Sequence, residues 1–345
     1  MNVTKIIDNL LLSKDLRDNQ SLYAMRNLLD GKLDQMTAKS LLVLLHRKGE
    51  TSKELTPLIK SARKKNVGHR LPKSKIKNLC DACGTGGDGK RTFNISTISS
   101  FVAAGAGSKV AKHGNRSITS SCGSSDLIEA LGINLETPAK KIIRSIERAG
   151  IGYFHAPVYN QAFANVQGIR KELAAQKIKT IFNMAGPLLN PMNVKRQLIG
   201  VYHPRLISII LNTLKKLGSH HALVISGKNG ADELCTNQIT YAGELKNGKI
   251  HYFIIKPSRY RLRFAGEKTM RGSTVKANRK IALGILSGAD KSPRLDVVLA
   301  NTALILYVSK NAEDFAEGIK KARDAIRKGK ALSALKQMRR ITHAA

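Results

Sequence analysis

The chain has 345 residues, room for about two domains, and its 42% hydrophobic content excludes a disordered polymer. Lysine and arginine number 59 against 24 acids, a formal charge of +35 that attracts anions but defines no site by itself. No apolar run approaches the roughly 20 residues of a bilayer span, and Asp8 and Asn9 interrupt the apolar start where a signal peptide needs continuity. A soluble, cytoplasmic protein is expected.

Residues 1–66 read as helices. The first involves Leu10, Leu11 and Leu16 around the capping types Asn9 and Ser13. The second follows Ser21 and stops at Gly31. Thr37 is the expected cap of the third, and Thr51 or Ser52 starts the fourth. Residues 64–75 have linker character. From residue 78 short apolar strands alternate with helices. Strands are expected at 79–83, 108–111, 153–155 and 222–226, with a hairpin turning at Asn247-Gly248. Helices are expected at 98–107, 124–131, 139–149, 161–181, 205–217, 277–287, 295–309 and 312–328. This alternation predicts an α/β fold with a mostly parallel central sheet behind a small helical domain.

Three stretches carry chemistry. The first is the strand, glycine-rich turn and helix start of residues 78–99, with GTGGDG at Gly84–Gly89. Glycines accept positive φ and let a ligand approach the backbone. The N–H groups of such a turn favour a phosphate or pyrophosphate. Asp88 beside that anion implies a cation. The second is KHGNRS, Lys112–Ser117, again between a strand and a helix, with charge for phosphate and hydroxyls as neutral donors. The third is Asp232-Glu233, a carboxylate pair that suits Mg²⁺ when phosphate is near. Cys80 and Cys83 have CxxC spacing, but no second pair or clustered histidine completes a zinc site, so both are expected in the core.

GTGGDG, NIST, KHGNRS, GPLLNP and the Asp-Glu pair, in this order, resemble the anthranilate phosphoribosyltransferase family across nearly the whole chain. The resemblance implies a nucleoside phosphorylase/phosphoribosyltransferase-like fold. It implies a helical domain at 1–75, joined by part of 165–190, and an α/β domain at 76–345. It implies a homodimer and two Mg²⁺ ions. Phosphoribosyl pyrophosphate would be held by Gly84, Gly87, Asp88, Thr92, Asn94, Ile95, Ser96 and Thr97. Lys112, His113, Gly114, Asn115, Arg116, Ser117, Ile118, Thr119, Ser120 and Ser124 would complete that site. Anthranilate would meet Gly84, Asn115 and Arg170. Ser96, Asp232 and Glu233 would hold metal. Attack by a neutral aryl amine needs little acid–base chemistry, so no proton-transfer residue is named.

The sequence departs from the family pattern where Ser226-Gly227 replaces a histidine and Leu234-Cys235 follows the acids. A stretch that is typically acidic in the family appears as RGSTVKANRK, Arg271–Lys280, and residues 256–280 hold nine Lys or Arg and one acid, Glu267. Two rival readings are a basic paralogue that binds nucleic acid and a pyrimidine nucleoside phosphorylase. The intact motifs and Arg170 argue against both. Nucleic-acid binding is expected to be weak and non-specific, since aromatics are 5% with no tryptophan.

Overall fold

The structure, a computed structural model, describes residues 2–66, 76–117 and 121–343. Four helices come first: α1 (Val3–Leu11), α2 (Asp18–Asp30), α3 (Gln35–Lys48) and α4 (Ser52–Lys65). Their caps differ partly from the sequence reading. Asn2, not Asn9 or Ser13, caps α1 through a bond from the Thr4 N–H. The second helix starts before Ser21, after Arg17, whose N–H donates to Gln20. Asp34 caps α3 by accepting from the N–H of Thr37, so Thr37 lies inside the first turn. Thr51 caps α4 in a reciprocal box with Glu54, as expected.

The rest alternates strands and helices. In order come β1 (Cys80–Gly84), α5 (Ile95–Gly105), β2 (Val110–Gly114), α6 (Ser124–Ala130), α7 (Ala139–Ala149) and β3 (Ile151–His155). Residues 161–181 do not form one helix. The short α8 (Ala156–Tyr159) precedes them, and only α9 (Gln167–Ala175) is regular within them, followed by α10 (Phe182–Ala185). Next are β4 (Arg196–Gly200), α11 (Arg205–Lys216), β5 (His221–Gly227), β6 (Thr240–Lys246) and β7 (Lys249–Ile255). The chain closes with α12 (Glu267–Met270), α13 (Val275–Leu286), α14 (Pro293–Val308), α15 (Phe315–Arg327) and α16 (Lys330–His343). Strand β4 and helix α16 were not expected from the sequence.

One seven-stranded sheet runs β3-β2-β1-β4-β5-β6-β7. The first five strands are parallel, and β6 and β7 add an antiparallel hairpin at the edge. Asn247 and Gly248 both have positive φ, as a two-residue hairpin turn requires. On one face of the sheet Cys80, Ala82, Val110 and Leu198 pack with α5 and α13–α16. The other face carries Ile199, Ala222 and Val224 into a core shared with α1–α4, residues 162–189 and α11. After β1 the chain moves to β2 on one side; β4, arriving later, takes the other. Strand order therefore reverses between β1 and β4, and a crevice opens beyond their carboxyl ends, where open α/β sheets gather ligands. Among the described residues no helix is long and apolar enough to cross a membrane.

Candidate active site

Four of the five parallel strands end in glycine: Gly84, Gly114, Gly200 and Gly227. Three of these are forced by close approach. A Cβ on Gly84 would overlap Asp232 Oδ2, and one on Gly200 would overlap the Asp232 carbonyl. At Gly114 it would meet Ser124 Oγ and Tyr153 Oη. The loop carrying Asp232 is thus seated directly on the ends of β1 and β4. Gly86, Gly87 and Gly89 all have positive φ, the conformation the glycine-rich turn was expected to need, and no atom crowds them.

Into this turn comes a set of carboxylates. The Gly86 N–H donates to Asp232 Oδ2 at 2.7 Å. Glu233 accepts from Thr92 Oγ1 at 3.1 Å and from the Ser96 N–H, at the start of α5, at 3.2 Å. Burial, then the nearby Asp88 charge, pushes Asp232 up to about 7. Burial and the charges of Asp232 and Asp88 raise Glu233 well above its ordinary value. Asp88 Oδ2 is buried without a hydrogen-bond partner. Like charges held together with an orphaned oxygen are the donor set of a hard divalent cation, which prefers carboxylate oxygens. Asn301 of α14 secures the loop by bonding both the N–H and the carbonyl of Leu234.

The remaining residues expected at the phosphate site lie around this centre. Lys112 is fully buried, its Nζ donating to the Ala82 carbonyl at 2.6 Å and reaching Ser96 Oγ at 3.5 Å. Burial pulls it below the ordinary lysine value. Asn94 donates from Nδ2 to the Cys122 carbonyl, and its N–H bonds Asn278 Oδ1. Asn94 Oδ1 and Thr97 Oγ1 are buried without partners, while Ile95 is core. Ser124 Oγ bonds the Asn115 carbonyl and Tyr153 Oη. The Ser117 N–H donates to Asp126.

Two residues depart from the expected arrangement. Arg116 turns outward to Asp126 and Glu129 of α6, with Nη1–Oε2 at 2.8 Å, instead of facing the glycine-rich turn. An exposed arginine satisfies its charge on the nearest acids, and α6 supplies two. His113 alternates along β2 with Lys112 and therefore lies on the opposite sheet face, bonded to Asp81 and to the Gly186 carbonyl. Ile118, Thr119 and Ser120 lie outside the described residues.

The basic stretch after residue 256 reaches the site. Thr92 forms a β-bridge with Arg271, the Phe93 N–H donates to Met270, and the Gly272 N–H to Arg91. Ser121 Oγ donates to the Ser273 carbonyl. Residues 270–278 are thus a brace for the glycine-rich turn. Lys179 is a second brace: its Nζ donates to the Gly87 carbonyl at 3.1 Å and sits 3.5 Å from the centre of the Tyr202 ring. These contacts join segments far apart in the chain, so motif reading missed Gly200, Asn301, Gly272 and Lys179.

Arg170 occupies α9. Its guanidinium carbon lies 5.1 Å from the ring centres of both Phe163 and Phe182. Burial lowers its pKa, and no ion pair reaches it among the described residues. The segment between Arg170 and β4 passes the turn through Lys179, then enters GPLLNP. Cys80 is buried in the core, as expected. Cys83 instead stands beside Asp81 and His113 within 4.8 Å, where its thiol is raised well above its ordinary value, chiefly by burial.

A glycine-rich turn at the switch point is faced by a carboxylate trio, and the segment that builds it matches the model of the glycosyl transferase family, a/b domain, over residues 76–332. The chain is 40% identical to the anthranilate phosphoribosyltransferase of Clostridium kluyveri over 329 residues, covering 95% of this chain and 96% of that one. It is 38% identical to that of Acetivibrio thermocellus, with 98% and 96% covered. The crystal structure of the Thermus thermophilus anthranilate phosphoribosyltransferase superposes with a TM-score of 0.89 at 31% identity, covering all of both chains. The Saccharomyces cerevisiae enzyme in complex with PRPP and Mg gives 0.83 at 26% identity, covering 99% and 97%. The chain belongs to the anthranilate phosphoribosyltransferase family.

Proposed function

We propose that the protein transfers the phosphoribosyl group of 5-phosphoribosyl 1-pyrophosphate to the amine of anthranilate, giving N-(5-phosphoribosyl)anthranilate and pyrophosphate in tryptophan biosynthesis. The observation that carries this reading is the seating of Asp232-Glu233 on the strand ends Gly84 and Gly200, directly against the glycine-rich turn. It supports a phosphorylated donor and a divalent cation at one place.

In this reading Gly84, Gly87, Asp88, Thr92, Asn94–Thr97, Lys112, Gly114, Asn115 and Ser117–Ser120, with Ser124, bind the donor. Ser96, Asp232 and Glu233 would hold two Mg²⁺ ions, and Asp88, whose charge acts on both acids, lies beside them. Bound Mg²⁺ neutralises charge developing on the leaving pyrophosphate. Asn115 and Arg170 orient anthranilate, whose carboxylate matches the guanidinium fork. The amine nitrogen forms a bond to C1 of the ribosyl group as the C1–oxygen bond to pyrophosphate breaks, with inversion. The amine proton leaves to solvent, so rate comes from placement and charge compensation.

The helical domain comprises residues 1–75 with part of 165–190, a grouping supported by the packing of residues 162–189 with α1–α4 in one core. The protein works as a cytoplasmic homodimer, and its basic surface is largely solvated. Loss of anthranilate fluorescence on adding phosphoribosyl pyrophosphate and Mg²⁺, with the phosphoribosyl product identified by mass, tests the activity. Unchanged fluorescence at saturating donor would overturn it.

A further inference from the structure

We propose that Asp81 and His113 are positioning residues that set the acceptor side of the site through Gly186; this rests on the transferase reading above. Neither side chain meets the solvent of the crevice: Asp81 is 1% exposed and His113 6%. The His113 Nδ1–Asp81 Oδ2 distance is 2.7 Å and the Nε2–Gly186 oxygen distance is 2.9 Å. Burial opposes both charges, but each outweighs it for the other: the carboxyl is held below its ordinary value and the imidazole above. An imidazolium donates from both nitrogens, so one proton state satisfies the carboxylate and the carbonyl together. A 2.7 Å contact is the length of such a charged hydrogen bond, and the neighbouring Cys83 stays a thiol, so the trio with Cys83 is an ion pair with a neighbour.

Gly186 opens the segment that joins the sheet to the helices. Gln197 of β4 donates to the Pro187 carbonyl at 3.0 Å, and Asn190 donates back to the Ala111 carbonyl at 2.6 Å. From the other side Arg63 of α4 donates twice to the Leu188 carbonyl, at 3.1 and 2.8 Å. Immediately before Gly186 stands α10, whose Phe182 ring forms one wall of the Arg170 slot and meets Phe163 edge-on at 4.9 Å. A displaced Gly186 carries α10 with it, and Arg170 loses the ring that fixes its guanidinium. Contacts to the glycine-rich turn come mainly from the other sheet face, through Lys112 and Ser96; from this segment only Lys179, ahead of α10, reaches the turn among the described residues, at the Gly87 carbonyl.

The amide of glutamine can take the place of the histidine Nε2, whereas that of asparagine reaches only the Nδ1 position. His113→Gln therefore keeps a donor for Gly186 and His113→Asn does not. In the full-length protein, His113→Asn is expected to raise the KM for anthranilate about fivefold or more, and the KM for phosphoribosyl pyrophosphate by less than about twofold. His113→Gln should stay close to wild type. In an Arg170→Ala background His113→Asn should add no further rise, because both act on one contact. Equal rises in both KM values, or additive losses in the double variant, would overturn the inference. Thermal melts establish that the variants fold. Should His113→Asn fail to, Asp81→Asn, which keeps the shape and removes the charge, is read the same way. An inactive wild type would instead defeat the transferase reading itself.

Discussion

The two sides of the crevice store opposite charges in opposite ways. On the donor side, Asp232, Glu233 and Asp88 crowd one another beside the glycine-rich turn, and repulsion and burial raise the first two. In α9, Arg170 stands between two phenyl rings with no ion pair among the described residues, and burial alone lowers it. One place concentrates negative charge, the other holds a single positive charge. Each is suited to recognise a charge more than a shape. The carboxylates sit on rigid strand ends, whereas the arginine depends on a joint assembled from distant segments.

The largest break in this comparison should come from Asp232→Asn with Glu233→Gln. Turnover with Mg²⁺ should fall by about 100-fold or more, while the metal-free melting temperature stays level or rises as repulsion is relieved. Activity unchanged across a magnesium titration would refute the metal assignment. Next is Gly200→Ala. Its Cβ overlaps the Asp232 carbonyl, so the loop must move; overpacking costs about 1–3 kcal/mol of stability. A melting curve and a turnover assay report both effects, and a silent variant would mean that the loop is not seated as described.

A narrower effect is expected for Arg170→Ala. Loss of a charged hydrogen bond costs roughly 1.5–3 kcal/mol, so the KM for anthranilate should rise at least about tenfold. The KM for the donor should barely change, and equal effects would make Arg170 structural. The subtlest test is pH. Asp232, at about 7 in the folded state against an ordinary 3.8, binds a proton that the unfolded chain has lost between those values. Its contribution to stability therefore falls as pH rises through that window. The melting difference between wild type and Asp232→Asn in chelator should widen from pH 4 to 7, and Mg²⁺ should remove the trend. A difference independent of pH would exclude this titration.

How much was legible follows the same division. The donor turn was readable because its residues are contiguous: glycines for positive φ, then caps and hydroxyls at a helix start. Asp232-Glu233 was readable as a pair, but its seat on Gly200 was not, because β4 was missed. Strand β4 is buried on both faces and opens with Arg196 and Gln197, so it shows neither alternation nor an apolar run. Their polar ends bond the Val308 and Pro187 carbonyls, partners no local pattern reveals. Helix α16 was overlooked although Ala331, Ala334, Leu335 and Met338 repeat at helical spacing. Residues 161–181 read as one helix because apolar spacing persists across a break. His113 and Arg116, judged by a basic motif, turned to acids elsewhere.

The edge strand β7 has a consequence for how copies of the chain meet. Tyr252, Phe253 and Ile254 are exposed on a strand that, among the described residues, pairs with β6 alone. Such an edge invites a second copy and, in a crowded cell, growth into aggregate. In the antiparallel register that centres Tyr252 and Phe253, Lys249 of each copy would stand opposite Lys256 of the other. Lysines at both ends of the strand thus penalise the pairing its apolar middle favours, and the large net charge keeps neighbouring molecules apart. Colloidal stability would then account for part of the basic excess without a ligand.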